Sequence, residues 1–241
     1  MAYIRKTYRF KNSIEIEEYH NGRYGAPGEK RLQRKKATPE QIKKQNQTNR
    51  EKEARRKIEA NFEEGDCWST LTYRQKERPP DFGSALDDFG KFRRKIRREY
   101  KKRGYELKWM ALSEYGSRGG VHHHFLLNRI PDTDLLLAKH WTRGAPVTTL
   151  IYEEGRYKKL AEYLTKETNE KNKLKDKNYS CSRNLIKIEP EKDIVLNRSI
   201  EKEPKNRKGY YVDKESIVEG INPVTGYKYR HYALIRLNRR I

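Results

Sequence analysis

The segment Val121-His-His-His-Phe-Leu-Leu127 constrains this chain more than any other. Its residues favour a strand, and the glycine-rich stretch Gly116-Ser-Arg-Gly-Gly120 before it reads as a turn. Side chains on a strand alternate faces. Val121, His123, Phe125 and Leu127 therefore share one face, mostly apolar and suited to lie against helices. His122 and His124 share the other, about 7 Å apart at their backbones. Two imidazoles so placed can converge on one ion. The strand before the turn ends at Glu114 and Tyr115, and antiparallel pairing lays Glu114 beside His122. Two neutral imidazoles and a carboxylate make a mixed N/O site with open positions, suited to Mg²⁺ or Mn²⁺ holding a phosphate oxygen. A polar strand edge without any ion would use the same residues, and the strand alone leaves both readings open.

The surrounding pattern predicts the fold. Trp68-Ser-Thr-Leu-Thr-Tyr73 reads as a strand. Pro79, Pro80 and Asp81 open a helix that buries Ala85, Leu86, Phe89, Phe92, Ile96 and Tyr100 and ends at Gly104. Strands over 107–115 and 121–128 follow, then a helix over 131–141, a strand over 147–152 and a helix over 156–168. The order β-α-β-β-α-β-α implies an α+β fold, a ferredoxin-like antiparallel sheet with helices packed on it. Three segments result: a basic extension over 1–65, the sheet domain over 66–170, and a basic, β-rich extension over 171–241. The first holds a strand pair around Tyr3, Ile4, Tyr8, Phe10, Ile14 and Ile16, broken by Ala26-Pro27-Gly28. It also holds a helix capped by Thr38 with Pro39 and Gln41, running to about Phe62. That helix is polar nearly all round, either a solvated arm or a DNA-facing one. A Lys/Asn-rich linker over 169–178 precedes strand-like runs at 186–188, 194–196 and 227–237 around the turn Asn222-Pro-Val-Thr-Gly226.

Charge narrows the partners. Fifty-six Lys and Arg against 34 acids give a net +22, a field that gathers polyanions and makes their binding salt-dependent. No apolar run approaches the ~18–20 residues of a membrane span, and no signal-peptide core follows the start. Cys67 and Cys181 form no CxxC pair, so a thiolate zinc site and a disulfide scaffold are not expected, and the chain reads as intracellular. There is no GxxxxGK[ST] and hence no P-loop to drive a helicase.

A second chemical element lies in Leu160-Ala-Glu-Tyr-Leu-Thr-Lys166, which reads as helix with Tyr163 and Lys166 on neighbouring positions of one face. A tyrosine hydroxyl attacking a phosphodiester leaves a covalent phosphotyrosine and keeps the bond energy for rejoining. A phenol with a pKa near 10 needs help at neutral pH. A cation on the phosphate and a nearby ammonium supply it.

Together these residues resemble the HUH endonuclease superfamily, specifically the rolling-circle replication initiators of bacterial plasmids and phages. The resemblance covers residues 68–167. It rests on the strand 68–73, on Ser113-Glu-Tyr-Gly116 with Gly120-Val-His-His-His-Phe-Leu-Leu127, and on Glu162-Tyr-Leu-Thr-Lys-Glu167. It implies that His122, His124 and Glu114 hold a divalent metal, Mg²⁺ or Mn²⁺. It implies that Tyr163 attacks single-stranded origin DNA, leaving a 5′-phosphotyrosyl link and a free 3′-OH for a host polymerase. Lys166 would position the phosphate or a metal-bound water. A host helicase and a bacterial cytoplasmic setting are expected with it. One departure stands out: the family's middle position is hydrophobic, and here it is His123. Facing the helices, His123 needs a hydrogen-bond partner; a shifted register that makes it a ligand is the alternative. Tyr157 lies about 120° around the helix from Tyr163, which favours a single-tyrosine enzyme, with Glu162, Glu167 or Glu170 as candidates to activate water. Arg93, Arg94, Arg97 and Arg98 are candidate DNA contacts, or simply a solvated face. His20, His140 and His231 read as surface or packing residues. Single-tyrosine transposases and relaxase-like enzymes are the neighbouring readings, and a non-catalytic nucleic-acid module is the distant one. That last reading calls for aromatics on the open sheet face, where this chain places Met110, Leu112, Glu114, His122 and His124.

Overall fold

The computed structural model describes residues 3–20, 36–117, 119–152, 154–166, 179–196, 200–222 and 225–237. In chain order they begin with β1 (Tyr3–Arg9), β2 (Ser13–Tyr19), α1 (Pro39–Asn61), β3 (Cys67–Leu71) and α2 (Phe82–Lys102). There follow β4 (Trp109–Tyr115), β5 (Val121–Leu127), α3 (Thr133–His140), β6 (Pro146–Leu150) and α4 (Lys158–Thr165). The chain closes with β7 (Ser180–Cys181), β8 (Glu191–Val195), β9 (Tyr210–Ile221) and β10 (Lys228–Arg236). Contacts divide it into two units, Gln47–Lys187 and Met1–Asn46 with Ile188–Ile241. The Gly-Pro stretch at 26–28 and the linker at 169–178 lie outside the described residues, as do Pro223 and Val224 of the predicted turn. Among the described residues, no helix is long and apolar enough to cross a membrane.

The unit Gln47–Lys187 is built on one antiparallel sheet, in the order β6-β3-β5-β4-β7. β5 slots between β3 and β4, and β3 slots between β5 and β6. Two β-α-β units thus interleave, the ferredoxin-like arrangement that the element order predicts. Helix α2 forms because Ala85, Phe89, Phe92, Ile96 and Tyr100 recur at helical spacing and are all buried. Asp81 caps it, accepting from the Ser84 amide at 2.8 Å. That stripe packs on one sheet face against Leu71, Phe125, Leu127 and Trp141. Gly144 has to be glycine, because a Cβ there would run into the Thr72 carbonyl.

The opposite sheet face is also covered. Ala54, Ile58 and Phe62 from the end of α1 pack with Leu112 and Leu126 of the sheet and with Ala161 and Leu164 of α4. The capping box at the start of α1 is present: the Gln41 amide donates to Thr38 Oγ1 at 3.2 Å and the Thr38 amide to Gln41 Oε1 at 3.0 Å. The later half of α1 is neither a solvated arm nor an open DNA-facing surface. Its few apolar residues stand four apart, which is enough for a buried stripe even in a helix this polar. Polar contacts fasten it further. Glu59 takes a two-pronged ion pair from Arg156 just before α4, at 2.7 Å on each oxygen. Gln47 Nε2 donates to the Thr165 carbonyl at the end of α4, at 3.0 Å.

The other unit is a second five-stranded sheet in the order β8-β1-β2-β10-β9. β1 pairs with β8 and β2 with β10, so the two ends of the chain build one sheet. The sequence places them in separate extensions, because strand pairing between distant segments leaves no local signal. Residues 186–188 are not a strand, and β9 went unread among its charged residues.

Candidate active site

The register of β5 decides where its histidines go. Glu114 lies opposite His122 and Leu112 opposite His124 in the β4–β5 pair, while Thr70 lies opposite His124 in the β3–β5 pair. His122, His124 and Glu114 therefore share the sheet face that α4 covers. His123 points the other way and is fully buried. It finds the partners that its burial demands: Ser113 Oγ at 2.7 Å from Nδ1 and Tyr73 Oη at 3.0 Å from Nε2. Its ring also stacks on Phe89, with centres 4.7 Å apart. Burial, helped by the flanking His124 and His122, pulls its pKa down to about 3, so it stays neutral.

On the site face, four side chains from three separate elements meet. Glu114 Oε1 lies 3.1 Å from His124 Nε2, reaching the diagonal neighbour on β5. The Tyr163 hydroxyl donates to Glu114 Oε1 at 2.8 Å and lies 2.9 Å from His124 Nε2. Lys166 Nζ contacts both carboxylate oxygens, at 3.0 and 2.8 Å. The same ammonium sits 4.0 Å from the centre of the Tyr163 ring. Burial alone would raise the Glu114 carboxyl, but hydrogen bonds from His124, Lys166 and Tyr163 outweigh it and hold the pKa down at about 2. Burial and then the adjacent Glu114 push the Tyr163 phenol above its ordinary value.

His122 stands slightly apart, its ring centre 6.5 Å from that of His124. It rests on Gly116, where a Cβ would come within 2.7 Å of the ring. Glycine at the start of the hairpin turn is what leaves room for this imidazole. Burial, then His124, lowers its pKa, against the pull of Glu114. Such a set, two imidazoles favouring the neutral form beside a carboxylate held ionised, suits a hard divalent cation in its donor chemistry.

Sequence reasoning passed over the residues that frame this cluster. Trp68 stacks on the His124 ring, with centres 5.6 Å apart and planes 12° apart, and meets Tyr163 edge-on at 5.7 Å. Thr70 Oγ1 lies 3.2 Å from His124 Nδ1. The signal was available, since Trp68 and Thr70 are alternate residues of one strand. What the sequence lacked was the pairing of that strand with β5.

The remaining predicted residues lie elsewhere. Arg93, Arg94, Arg97 and Arg98 are on α2, across the sheet from the cluster. Arg93 is laid over the Trp109 ring at 4.1 Å, and the other three are exposed. Tyr157 is buried in the core beneath α4 rather than on a helical face, with a left-handed backbone at φ 58°. Glu162 is exposed, while Glu167 and Glu170 lie outside the described residues.

A second group of potential ligands sits in the terminal unit. Ligand atoms of Glu15, Glu17 and His231 all fall within 4.8 Å of one another, so this group could hold a metal ion. It puts His231 in a cluster where the sequence suggested only surface or packing. Each of the three has a further partner in the chain, and no nucleophile is part of the group.

No match was found among curated proteins or among solved structures. Residues 66–168 match the family model of the replication-associated protein ORF2. The matched stretch holds every residue of the cluster on the sheet face, and it points to a part in replication for this portion of the chain.

Proposed function

We propose that this chain is a replication initiator that nicks single-stranded origin DNA with Tyr163. The observation that carries the reading is the meeting of Tyr163 Oη with Glu114 and His124, within 2.9 Å of each. A phenol, a carboxylate and an imidazole from three segments far apart in sequence are a costly coincidence for mere packing. The replication-associated match over the same segments favours an initiator over a transposase or relaxase-like enzyme.

In the proposed reaction the Tyr163 oxygen attacks the scissile phosphorus. The bond from phosphorus to the 3′ oxygen breaks, the phenol gives up its proton, and the departing oxygen gains one. A 5′-phosphotyrosyl link and a free 3′-OH result, and the hydroxyl can prime a host polymerase. A divalent cation held by His122, His124 and Glu114 would polarise the phosphate and offset the charge of Glu114. That charge is one of the two causes that raise the Tyr163 pKa. Lys166, beside both the carboxylate and the tyrosine ring, supplies a positive charge where the phosphate enters. Single-stranded DNA is drawn in by the basic chain, and the exposed Arg94, Arg97 and Arg98 offer contacts for flanking DNA on the far face. Strand separation falls to a separate helicase, as the sequence contains no P-loop.

The test is direct. The protein is incubated with Mn²⁺ and a single-stranded oligonucleotide carrying its replication origin, then run on a denaturing gel. A shifted, covalent species is expected with the wild type and none with Tyr163→Phe. An undiminished shift in the variant removes Tyr163 from the reaction.

A further inference from the structure

Strand β3 contributes no group to the proposed chemistry, yet two of its side chains grip one of the proposed ligands. Thr70 and His124 are directly opposed in the β3–β5 pair. The imidazole has two nitrogens with separate tasks. Nε2 faces Glu114 and Tyr163, at 3.1 and 2.9 Å. Nδ1 faces the Thr70 hydroxyl at 3.2 Å. Trp68 closes the ring's flank with a near-parallel stack. The ring is thus held about its long axis by a hydrogen bond at one nitrogen and by an aromatic plane on one side.

We infer that Thr70 is a positioning residue for His124: its hydroxyl anchors Nδ1 so that Nε2 is presented to the Glu114–Tyr163 cluster, and it accepts the Nδ1 proton when a cation takes Nε2. This inference rests on the reading of His124 as a metal ligand. A neutral imidazole carries a single proton, so a ring that gives Nε2 to a cation must keep its hydrogen on Nδ1. A buried Nδ1–H without an acceptor is penalised, and partners of this kind typically change metal affinity by about 10–100-fold. Thr70 suits the task because a hydroxyl can donate or accept. The same contact can therefore survive before and after a cation arrives. Trp68 keeps the ring from turning away but cannot choose between its nitrogens.

The test measures metal binding without DNA, so that turnover plays no part. Mn²⁺ affinity is determined by calorimetry for the wild type and for Thr70→Val, Thr70→Ser and His124→Ala, with thermal melts of each. Thr70→Val keeps the branched shape that a strand favours and removes only the hydroxyl. Thr70→Ser keeps the hydroxyl. The expected result is a loss of about 10–100-fold in affinity for Thr70→Val and wild-type affinity for Thr70→Ser. In the Mg²⁺-loaded protein, the His124 Nδ1 proton should be visible by NMR and protected from exchange, and Thr70→Val should lose that protection. Affinity within twofold of wild type in Thr70→Val, or a loss in Thr70→Ser as large as in the valine variant, overturns the role of the hydroxyl. If Thr70→Val does not fold, a loss of affinity in the serine variant still overturns it, and wild-type affinity together with a protected Nδ1 proton sustains it. Equal affinity in the wild type and His124→Ala shows instead that His124 is no ligand, which sinks the functional reading and this inference with it.

Discussion

His123 and His124 are adjacent in the chain and of one chemical type, yet β5 turns them to opposite sides of the sheet. On the α2 side, His123 is sealed between Ser113, Tyr73 and Phe89, with both ring nitrogens bonded and no route to solvent or substrate. On the α4 side, His124 points a nitrogen into a cluster of carboxylate, phenol and ammonium. The difference lies in the partners and not in the residue. One side has hydroxyls placed to hold a neutral ring; the other has groups that charge, attack or coordinate. A period of two along a strand separates structure from chemistry within a single tripeptide.

The widest expected gap between the two sides is in catalysis. Replacing both His122 and His124 with Ala should lower cleavage at least about a hundredfold, as loss of several kcal/mol of charge stabilisation would require. The melting temperature should hardly move. Gly116→Ala strikes the same side more gently: the added methyl must displace the His122 ring. Mn²⁺ affinity and cleavage should both fall, by less than in the double variant.

Stability should respond in the opposite sense. The α4 side has one structural debt of its own, the buried pair Arg156–Glu59. Removing one partner of such a pair costs about 3–5 kcal/mol, so Arg156→Ala should loosen α4 and α1 together in denaturant melts. His123→Leu comes next, at about 1–3 kcal/mol for the polar groups left unpaired, with cleavage by the folded fraction intact. That variant also carries a pH signature. The unfolded imidazole titrates near 6.5 and the buried one at about 3. Between those values the unfolded chain binds more protons, so stability rises with pH, is full above about 6.5, and is lost as the pH falls. Glu114 also loses its stabilising effect in acid, but only from about 4.5 downward to its folded value of about 2. Acid sensitivity from pH 6.5 to 4.5 should thus largely vanish in His123→Leu. The smallest effect belongs to Arg94, Arg97 and Arg98. Each change to Ala should leave stability within about 0.5 kcal/mol and cleavage at saturating DNA unchanged. Each that touches a single-strand phosphate should reduce the salt slope of binding by about 0.7.

Much of the sheet domain was legible because its signals are local. Alternation marked β5, helical spacing marked α2, and Thr38 with Gln41 marked the start of α1. The pairing of Glu114 with His122 followed from one short hairpin. Long-range pairing was not legible: that Thr70 meets His124, that Arg156 reaches back to Glu59, or that the two ends of the chain share a sheet. Each of these joins residues dozens of positions apart or more, where nothing in either segment names the other. His123 falls between the two cases. Its need for a hydrogen-bond partner could be stated from sequence, but Tyr73 and Ser113 emerge only once three strands are side by side.

The most direct measurement is to digest the covalent protein–DNA product and locate the nucleotide by mass spectrometry. A single modified peptide bearing a 5′-phosphate on Tyr163 is the expected outcome. Attachment at Tyr157, Tyr152 or any other side chain, or the absence of an attached nucleotide under conditions where the DNA is cut, would contradict the assignment of Tyr163 as the nucleophile.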